Sequence, residues 1–129
     1  MKNQKEIECK NAIEEAYELL ENCINCGMCK SLCPVFKSLK EELYSPRGHA
    51  VLLKEKILSE SLFKCNVCKA CEYKCPLDLK ICDAILRARE SISLKGKNLK
   101  TNGEMIKKVR ETGNPFGGKK AEGDKLYCC

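Results

Sequence analysis

Two cysteine runs with the same spacing constrain this chain more than any other feature. The first run occupies residues 23–34, with the sequence CINCGMCKSLCP, and the second occupies residues 65–76, with the sequence CNVCKACEYKCP. Both read C-x2-C-x2-C-x3-C-P, the spacing typical of proteins that bind two [4Fe-4S] clusters. In this pattern three cysteines of a run bind one cluster, and the fourth ligates the cluster of the other run. Neither run completes a cluster alone, so residues 23–75 must fold as one unit.

This exchange defines two predicted ligand sets. The first cluster is expected to bind to Cys23, Cys26, Cys29 and Cys75. The second cluster is expected to bind to Cys65, Cys68, Cys71 and Cys33. A zinc site usually combines two C-x2-C knuckles, often with histidine, and a disulfide framework does not need this repeated spacing. Two [4Fe-4S] clusters are therefore the predicted cofactors.

The composition favours a small redox protein of a reducing compartment. Twelve cysteines in 129 residues approach the density of a secreted disulfide scaffold. The N-terminus is nevertheless polar and does not resemble a secretory signal, and no apolar stretch is long enough to span a bilayer. We expect a cytoplasmic protein without membrane insertion, under anaerobic conditions because exposed clusters react with oxygen. The apolar core is small, so the apo-protein is expected to be largely unfolded.

The net charge of +6 does not indicate a nucleic-acid partner. Clusters with thiolate ligands are negative and offset part of this charge. The lysines are dispersed along the chain, without a block of like charge and without an aromatic platform for stacking bases.

Apolar periodicity predicts an all-α fold. Residues 4–21 are expected to form a helix whose apolar stripe contains Cys9, Ile13, Ala16 and Leu20. Residues 35–44 are expected to be a connector. Ser45 suits an N-cap and Pro46 suits the first helical position, which predicts a helix over residues 46–60. That helix is expected to bury Ala50, Leu53, Ile57 and Leu58.

The second half of the chain continues this pattern. Residues 79–94 are expected to form a helix with Ile81, Ile85 and Ala88 on one line and Cys82 and Leu86 on the next, ended by Gly96. Residues 1–96 would form the cluster-binding domain. Residues 97–129 would form a Lys- and Gly-rich extension with one short helix, capped by a box from Thr101 to Glu104 and ending near Gly113. Its apolar residues would dock on the domain or on a partner.

Several residues outside the ligand sets need an interpretation. Cys9 and Cys82 lie on apolar helix faces and are interpreted as packing cysteines. Arg47 is a candidate to donate a hydrogen bond to a cluster sulfide or to a partner's carboxylate. His49 is the single histidine and is expected to be partly exposed on its helix. The roles of Cys128 and Cys129, at the end of the chain, stay open.

The two motifs, the Ser45-Pro46-Arg47-Gly48 segment and the segment over residues 112–117 together resemble a family. The chain is similar to the α-helical ferredoxin domain of heterodisulfide reductases, which occurs in their C-type iron–sulfur subunits and in the N-terminal part of their D-type subunits. It also resembles the iron–sulfur subunits of glycolate oxidase, lactate-utilisation and anaerobic glycerol-3-phosphate dehydrogenase systems. The resemblance covers roughly residues 15–117 and implies a helical domain wrapped around two clusters.

The resemblance also implies a role in electron transfer. In the longer relatives, the Asn-Pro-Phe-Gly segment leads into cysteine-rich CCG domains, and this chain is expected to lack that catalytic half. We expect an electron-transfer subunit of a hetero-oligomer, with a flavoprotein or a CCG-domain catalytic protein as partner, and not an enzyme by itself. The alternatives are a freely diffusing ferredoxin and a redox-sensing or assembly protein.

Overall fold

The computed structural model describes residues 2–117, and the regular secondary structure in this range is all helical, without a β-strand. The α-helices are α1 (Lys2–Glu18), α2 (Pro34–Leu39), α3 (Pro46–Lys54), α4 (Ala70–Tyr73), α5 (Ile81–Leu94) and α6 (Lys100–Thr112). Short 3₁₀ helices span Met28–Leu32, Glu42–Tyr44 and Glu60–Lys64. The predicted all-α fold is confirmed. The described chain divides after Lys97 into two compact units.

The core of the first unit lies where α1 packs along α5. From α1 and the turn after it, Cys9, Ala16 and Leu20 are buried, as the predicted stripe requires. They meet a set of buried residues on α5, which are Ile81, Ala84, Ile85, Ala88 and Ile92. Leu86, predicted to lie on the second apolar line of α5, is exposed instead. Helices α1 and α5 thus form a scaffold on which the two cysteine motifs are mounted.

Helix α3 begins as predicted and ends earlier than predicted. The Ser45 hydroxyl accepts a hydrogen bond from the Gly48 N–H at 2.9 Å, which confirms the N-cap, and Pro46 follows in the first turn. The expected end near residue 60 is wrong, because Lys56 adopts a left-handed backbone with φ 55°. The N–H groups of Lys56 and Ile57 bond back to the carbonyls of Leu53 and Leu52, a Schellman motif without glycine. Ile57 is consequently exposed.

Gly48 allows the start of α3 to approach the preceding 3₁₀ helix closely. A Cβ atom added at Gly48 would lie 2.0 Å from the backbone oxygen of Glu42, so no larger residue fits without moving the backbone. The close contact fixes Glu42 next to the first turn of α3, where Arg47 is located. The segment from Glu42 to Gly48 is therefore a rigid corner.

Three other predicted boundaries differ from those in the structure. The segment predicted as a connector contains α2 and a 3₁₀ turn, and α5 begins at Ile81 and not at Leu79. The Schellman pattern at the end of α5 confirms Gly96 as its stop, with φ 71°. The capping box is wrong, because α6 already begins at Lys100 and no side chain caps it. Helix α6 ends at Gly113 as predicted, while Cys128 and Cys129 lie outside the described residues.

Candidate iron–sulfur centre

The structure gathers nine cysteines around two cavities, eight of them from the two motifs. The first, called cavity 1, has a volume of about 360 Å³ including its open mouth, and its cysteines are Cys23, Cys26, Cys29 and Cys75. The second, called cavity 2, has a volume of about 340 Å³ including its open mouth; its motif cysteines are Cys33, Cys65, Cys68 and Cys71, and Cys82 also lines it. Each cavity thus combines three cysteines of one motif with the fourth of the other.

Local structure places the fourth cysteine of each motif at the cavity of the other motif. Cys33 stands at the N-cap of α2, where its sulfur accepts a hydrogen bond from the Phe36 N–H at 3.4 Å. Cys75 follows α4 closely, and its N–H bonds to the Glu72 carbonyl at 3.0 Å. In both motifs the proline after this cysteine ends the motif, and Pro34 is the first residue of α2.

The two motif loops adopt the same backbone. Asn25 and Gly27 in the first loop have φ values of 56° and 80°, and the corresponding Val67 and Lys69 in the second have 54° and 61°. Left-handed backbone is unfavourable for a β-branched residue, and it turns successive peptide N–H groups toward one side. The Val67 N–H indeed donates to the Cys65 sulfur at 3.4 Å. Both loops are therefore shaped to surround a sulfur-rich, negatively charged group.

The elements that carry one buried cysteine of each cavity are in contact. The segment Met28–Leu32, which carries Cys29, packs against α4, which carries Cys71. Both cysteines are buried, whereas Cys26 and Cys68 are exposed. Each motif therefore has one buried and one exposed cysteine.

Crowding of buried thiols disfavours the thiolate form in the absence of iron. Burial raises the pKa of Cys29 to about 11, and the neighbouring Cys23, Cys26 and Cys75 contribute to this rise. Burial likewise raises the pKa of Cys71, with added effects from Cys82, Cys65 and Cys29. Iron binding requires thiolates, so the positive charge of iron must compensate this repulsion. Burial also raises the pKa of Cys65.

Cations anchor the first motif. Arg47 lines cavity 1, and its Nε donates to Glu42 Oε1 at 2.6 Å, while Lys30 Nζ donates to Glu42 Oε2 at 3.0 Å. Burial acts to raise the pKa of the Glu42 carboxyl, but hydrogen bonds from Arg47, Lys30 and Ser45 outweigh it and lower that pKa to about 2. Lys54, in the last turn of α3, donates to the Cys23 carbonyl at 2.8 Å. Arg47 thus has a carboxylate partner within its own chain.

Arg89 is the cation that anchors the second motif. Its guanidinium donates to the Leu62 carbonyl at 2.7 and 3.0 Å and to the Cys65 carbonyl. It also lies over the Phe63 ring. Sequence analysis does not identify Arg89, because a hydrogen bond to a carbonyl distant in sequence leaves no signal in the sequence.

His49 differs from its prediction. Its side chain is 1% exposed and lines cavity 2, so the expectation of partial exposure is wrong. Position 49 lies on the side of α3 that also buries Ala50 and Leu53. Burial lowers the pKa of His49 to about 4, so the ring is neutral at neutral pH. Its Nε2 has no hydrogen-bond partner among the described residues.

Cys82 is buried as predicted but lies at cavity 2 and not merely in the core. Its sulfur is 3.8 Å from the Cys71 sulfur, and its N–H donates to Glu72 Oε1 at 2.9 Å. The buried Glu72 carboxylate therefore caps the N-terminus of α5 and fixes Cys82 there. Cys9 lines neither cavity, since its sulfur lies 2.9 Å from the Ser91 hydroxyl within the contact between α1 and α5.

The donor sets fit [4Fe-4S] clusters. Each cavity presents the four sulfur donors of one predicted ligand set, and cavity 2 presents Cys82 in addition. Within residues 2–117, no group of three or more Cys, His, Asp or Glu side chains is arranged to hold one metal ion. Fold and site together define an all-helical iron–sulfur protein with two [4Fe-4S] clusters.

Comparison with known protein families agrees with the assignment of two [4Fe-4S] clusters. Residues 19–79 match the model of the 4Fe-4S dicluster domain. The match begins just before the first motif and ends just after the second, so it covers all eight predicted ligands. Among residues 2–117, no helix combines the length and the apolar character needed to cross a membrane.

Curated relatives are subunits of redox enzymes. The chain is 31% identical over 103 residues to an iron-sulfur subunit of the CoB–CoM heterodisulfide reductase of Methanopyrus kandleri, covering 78% of this chain and 54% of that protein. It is 31% identical over 91 residues to the glycolate oxidase iron-sulfur subunit of Escherichia coli, covering 64% of this chain and 22% of that protein. A probable glycolate oxidase iron-sulfur subunit of Bacillus subtilis is 36% identical over 95 residues, covering 66% of this chain and 21% of that protein. The chain therefore spans between a fifth and about half of these relatives.

Proposed function

We propose that this protein relays single electrons through its two clusters between a flavin or other redox partner and a catalytic subunit, in a complex similar to heterodisulfide reductase. The observation that carries the proposal is the pair of cysteine-lined cavities, each with one exposed cysteine, whose buried Cys29 and Cys71 lie on elements in contact with each other. The clusters supply reversible one-electron chemistry, and the chain supplies their ligands and their spacing. Cys26 and Cys68 mark the two surface edges at which electrons would enter and leave.

The ligand sets follow the cavities. In this proposal Cys23, Cys26, Cys29 and Cys75 bind the first cluster, and Cys65, Cys68, Cys71 and Cys33 bind the second. Cys29 and Cys71 then lie between the clusters, so the internal transfer step would cross the contact between Met28–Leu32 and α4. That contact is formed within one chain, so the internal step does not depend on a partner.

Exposed apolar side chains near cavity 1 support docking of a partner subunit there. Ile24, which lines the cavity, is 67% exposed, and Met28 and Leu77 are also exposed. The partner would be a flavoprotein or a CCG-domain protein, because either supplies a redox group for electron exchange. Such a partner would cover the edge of cavity 1 and exclude water from it.

Anaerobic purification of the tagged protein from its native host tests this proposal. We expect a stoichiometric flavoprotein or CCG-type subunit in the purified complex, identified by mass spectrometry and flavin assay. Met28→Gln should weaken copurification without loss of iron, whereas Ile7→Asn, a change at an exposed apolar residue of α1, should not. A monomer that retains both clusters and has no stoichiometric partner would support the alternative, a freely diffusing ferredoxin.

A further inference from the structure

The thiol of Cys82 is a buried group of cavity 2 that the predicted ligand sets leave without a role. Its side chain is 1% exposed and lines the cavity beside the four motif cysteines. A [4Fe-4S] cluster has four irons, and the motif cysteines supply one thiolate to each. Among the described residues, cavity 1 is lined by its four motif cysteines and by no further thiol. Cys82 is therefore a thiol beside the second cluster that has no iron to bind.

Backbone and side-chain contacts fix the position of Cys82. Its N–H donates to Glu72 Oε1 at 2.9 Å, which ties the first turn of α5 to α4. The carboxylate of the next residue, Asp83, lies 3.7 Å from Lys69 Nζ of the motif loop. The backbone N–H of Lys69 also donates a hydrogen bond to the Cys82 sulfur. The start of α5 is thus held against the second motif, with the Cys82 thiol beside Cys71.

The direction of the hydrogen bond between Cys82 and Cys71 follows from cluster binding. Their sulfurs are 3.8 Å apart, and either can be the donor while both are thiols. A Cys71 that binds iron is a thiolate, which accepts hydrogen bonds and has no proton to donate. Cys82 binds no iron and keeps its thiol proton, so Cys82 is the donor.

We propose that Cys82 donates a hydrogen bond from its thiol to the sulfur of Cys71 and thereby raises the reduction potential of the second cluster. The inference rests on the proposed binding of a cluster in cavity 2. Reduction adds negative charge to the cluster and its thiolate ligands, so a donor to one of these sulfurs stabilises the reduced form more than the oxidised form. The proton stays on Cys82 in both forms, and no covalent bond is made or broken.

Cys82 thus distinguishes two otherwise similar sites. The two motif loops share their backbone conformation and their cysteine spacing, so ligand geometry alone gives little difference between the clusters. Cys29 is the cysteine of the first motif that corresponds to Cys71, and no further thiol lines its cavity among the described residues. A thiol donor at Cys71 makes the second cluster easier to reduce than its four ligands alone would make it. Cys82 acts as a tuning residue and not as a ligand.

Infrared difference spectroscopy of the unaltered holoprotein tests the proposal directly. Cysteines that bind iron have no S–H group, so the S–H stretching vibration reports on the cysteines outside the ligand sets. We expect one S–H band to move to lower frequency when the second cluster is reduced, because its hydrogen bond strengthens. Cys82→Ala should abolish this band, whereas Cys9→Ala, which removes a buried thiol in contact with Ser91, should not. Two clusters without an S–H band that responds to reduction would overturn the proposal. Absence of a second cluster altogether would instead count against the proposed function.

Two substitutions test the effect on potential, in a redox titration followed by electron paramagnetic resonance (EPR). Cys82→Ala removes the donor and should shift the reduction equilibrium of one cluster roughly threefold toward the oxidised form, which is about 30 mV for one electron. Cys82→Ser retains an O–H donor and should restore most of this loss. The other cluster in the same molecule is the control and should keep its potential. Equal shifts of both potentials, or a Ser variant that behaves like Ala, would mean that Cys82 acts only in packing. If a variant fails to bind iron, the infrared experiment on the unaltered protein still decides.

Discussion

The sulfur of Cys82 lies 3.8 Å from the sulfur of Cys71, although the two residues belong to different helices. The contact is held in place from the Cys82 backbone, whose N–H donates to the buried carboxylate of Glu72. Cavity 2 therefore contains a fifth sulfur next to its four predicted ligands. Cavity 1 has four cysteines among its lining residues.

Substitution of Cys82 tests what the fifth sulfur does. Cys82→Ala should leave the iron content close to that of the wild type, because the four predicted ligands remain. It should nevertheless change the EPR signal of one cluster, since a sulfur in contact with Cys71 is lost. Cys9→Ala is the matched control: Cys9 is also buried, but it contacts Ser91, so neither signal should change. Loss of one cluster in the Cys82 variant would show that Cys82 is itself a ligand.

The exchanged ligands can be tested by pairs of variants. Cys75→Ala should damage the same cluster as Cys26→Ala, because both sulfurs line cavity 1. Cys33→Ala should likewise match Cys68→Ala, whose sulfurs line cavity 2. Each variant should lose up to about four of about eight irons. Iron analysis and EPR of the remaining cluster provide the comparison. A residual spectrum of Cys75→Ala that matched the Cys68→Ala spectrum would contradict the exchange.

Gly48→Ala should destabilise the first unit. The added Cβ would meet the Glu42 backbone oxygen at 2.0 Å, and overpacking of this kind costs about 3 kcal/mol. We expect a lower thermal unfolding midpoint of the holoprotein, measured anaerobically by circular dichroism. Gly103→Ala on α6 is the control, because no atom lies within 4 Å of its added Cβ and alanine favours a helix by about 1 kcal/mol. Equal behaviour of the two variants would be inconsistent with the close approach at Gly48.

Arg47→Gln should lower the potential of the first cluster. The guanidinium lines cavity 1, and its positive charge favours the more negative, reduced form. Because Glu42 offsets part of that charge, we expect roughly 30 mV, about half the value for a tenfold change in equilibrium. Arg87→Gln is the control, since Arg87 pairs with Glu15 and Glu90 and lines neither cavity. A redox titration in which both variants shifted alike would indicate a nonspecific charge effect.

Removal of iron should unfold much of the first unit. The cavity walls are lined by thiols whose pKa values are raised by burial, and the loops use unfavourable left-handed backbone at Val67 and Lys69. Without the clusters, few interactions offset the unfavourable free energy of the buried thiols and of the left-handed backbone. Incubation with a chelator should therefore reduce the helical circular dichroism signal, and reconstitution with iron and sulfide should restore it. An apo-protein with unchanged helix content would show that α1 and α5 are stable without the clusters.

The sequence predicted the cysteine-lined cavities better than the ends of the helices. The cysteine spacing predicted which eight motif cysteines lie around the two cavities. A chain that must bring four thiolates to each cluster can follow only a few paths. The end of α3 was missed since Lys56, a residue without a turn signal, adopts the left-handed backbone usually given to glycine. The proposed cap at Thr101 failed because a capping box is a local pattern and α6 begins before it.

Buried polar residues were the hardest to predict. His49 was expected to be partly exposed on its helix, whereas its burial depends on α3 facing cavity 2. The bonds of Arg89 and Glu72 join segments distant in sequence, to Cys65 and Cys82 respectively. Such contacts follow from tertiary packing and have no periodic signature.

Cys33 and Cys75 each line the cavity of the other motif, and this exchange constrains when the two sites can be completed during protein synthesis. Cavity 1 lacks its last sulfur until residue 75 has left the ribosome, and cavity 2 needs Cys71 from nearly the same stretch of chain. Iron delivered earlier during synthesis would find only partial sets of thiols. Both sites therefore become complete almost together during translation, so a nascent chain that stopped before residue 71 would carry neither finished cluster.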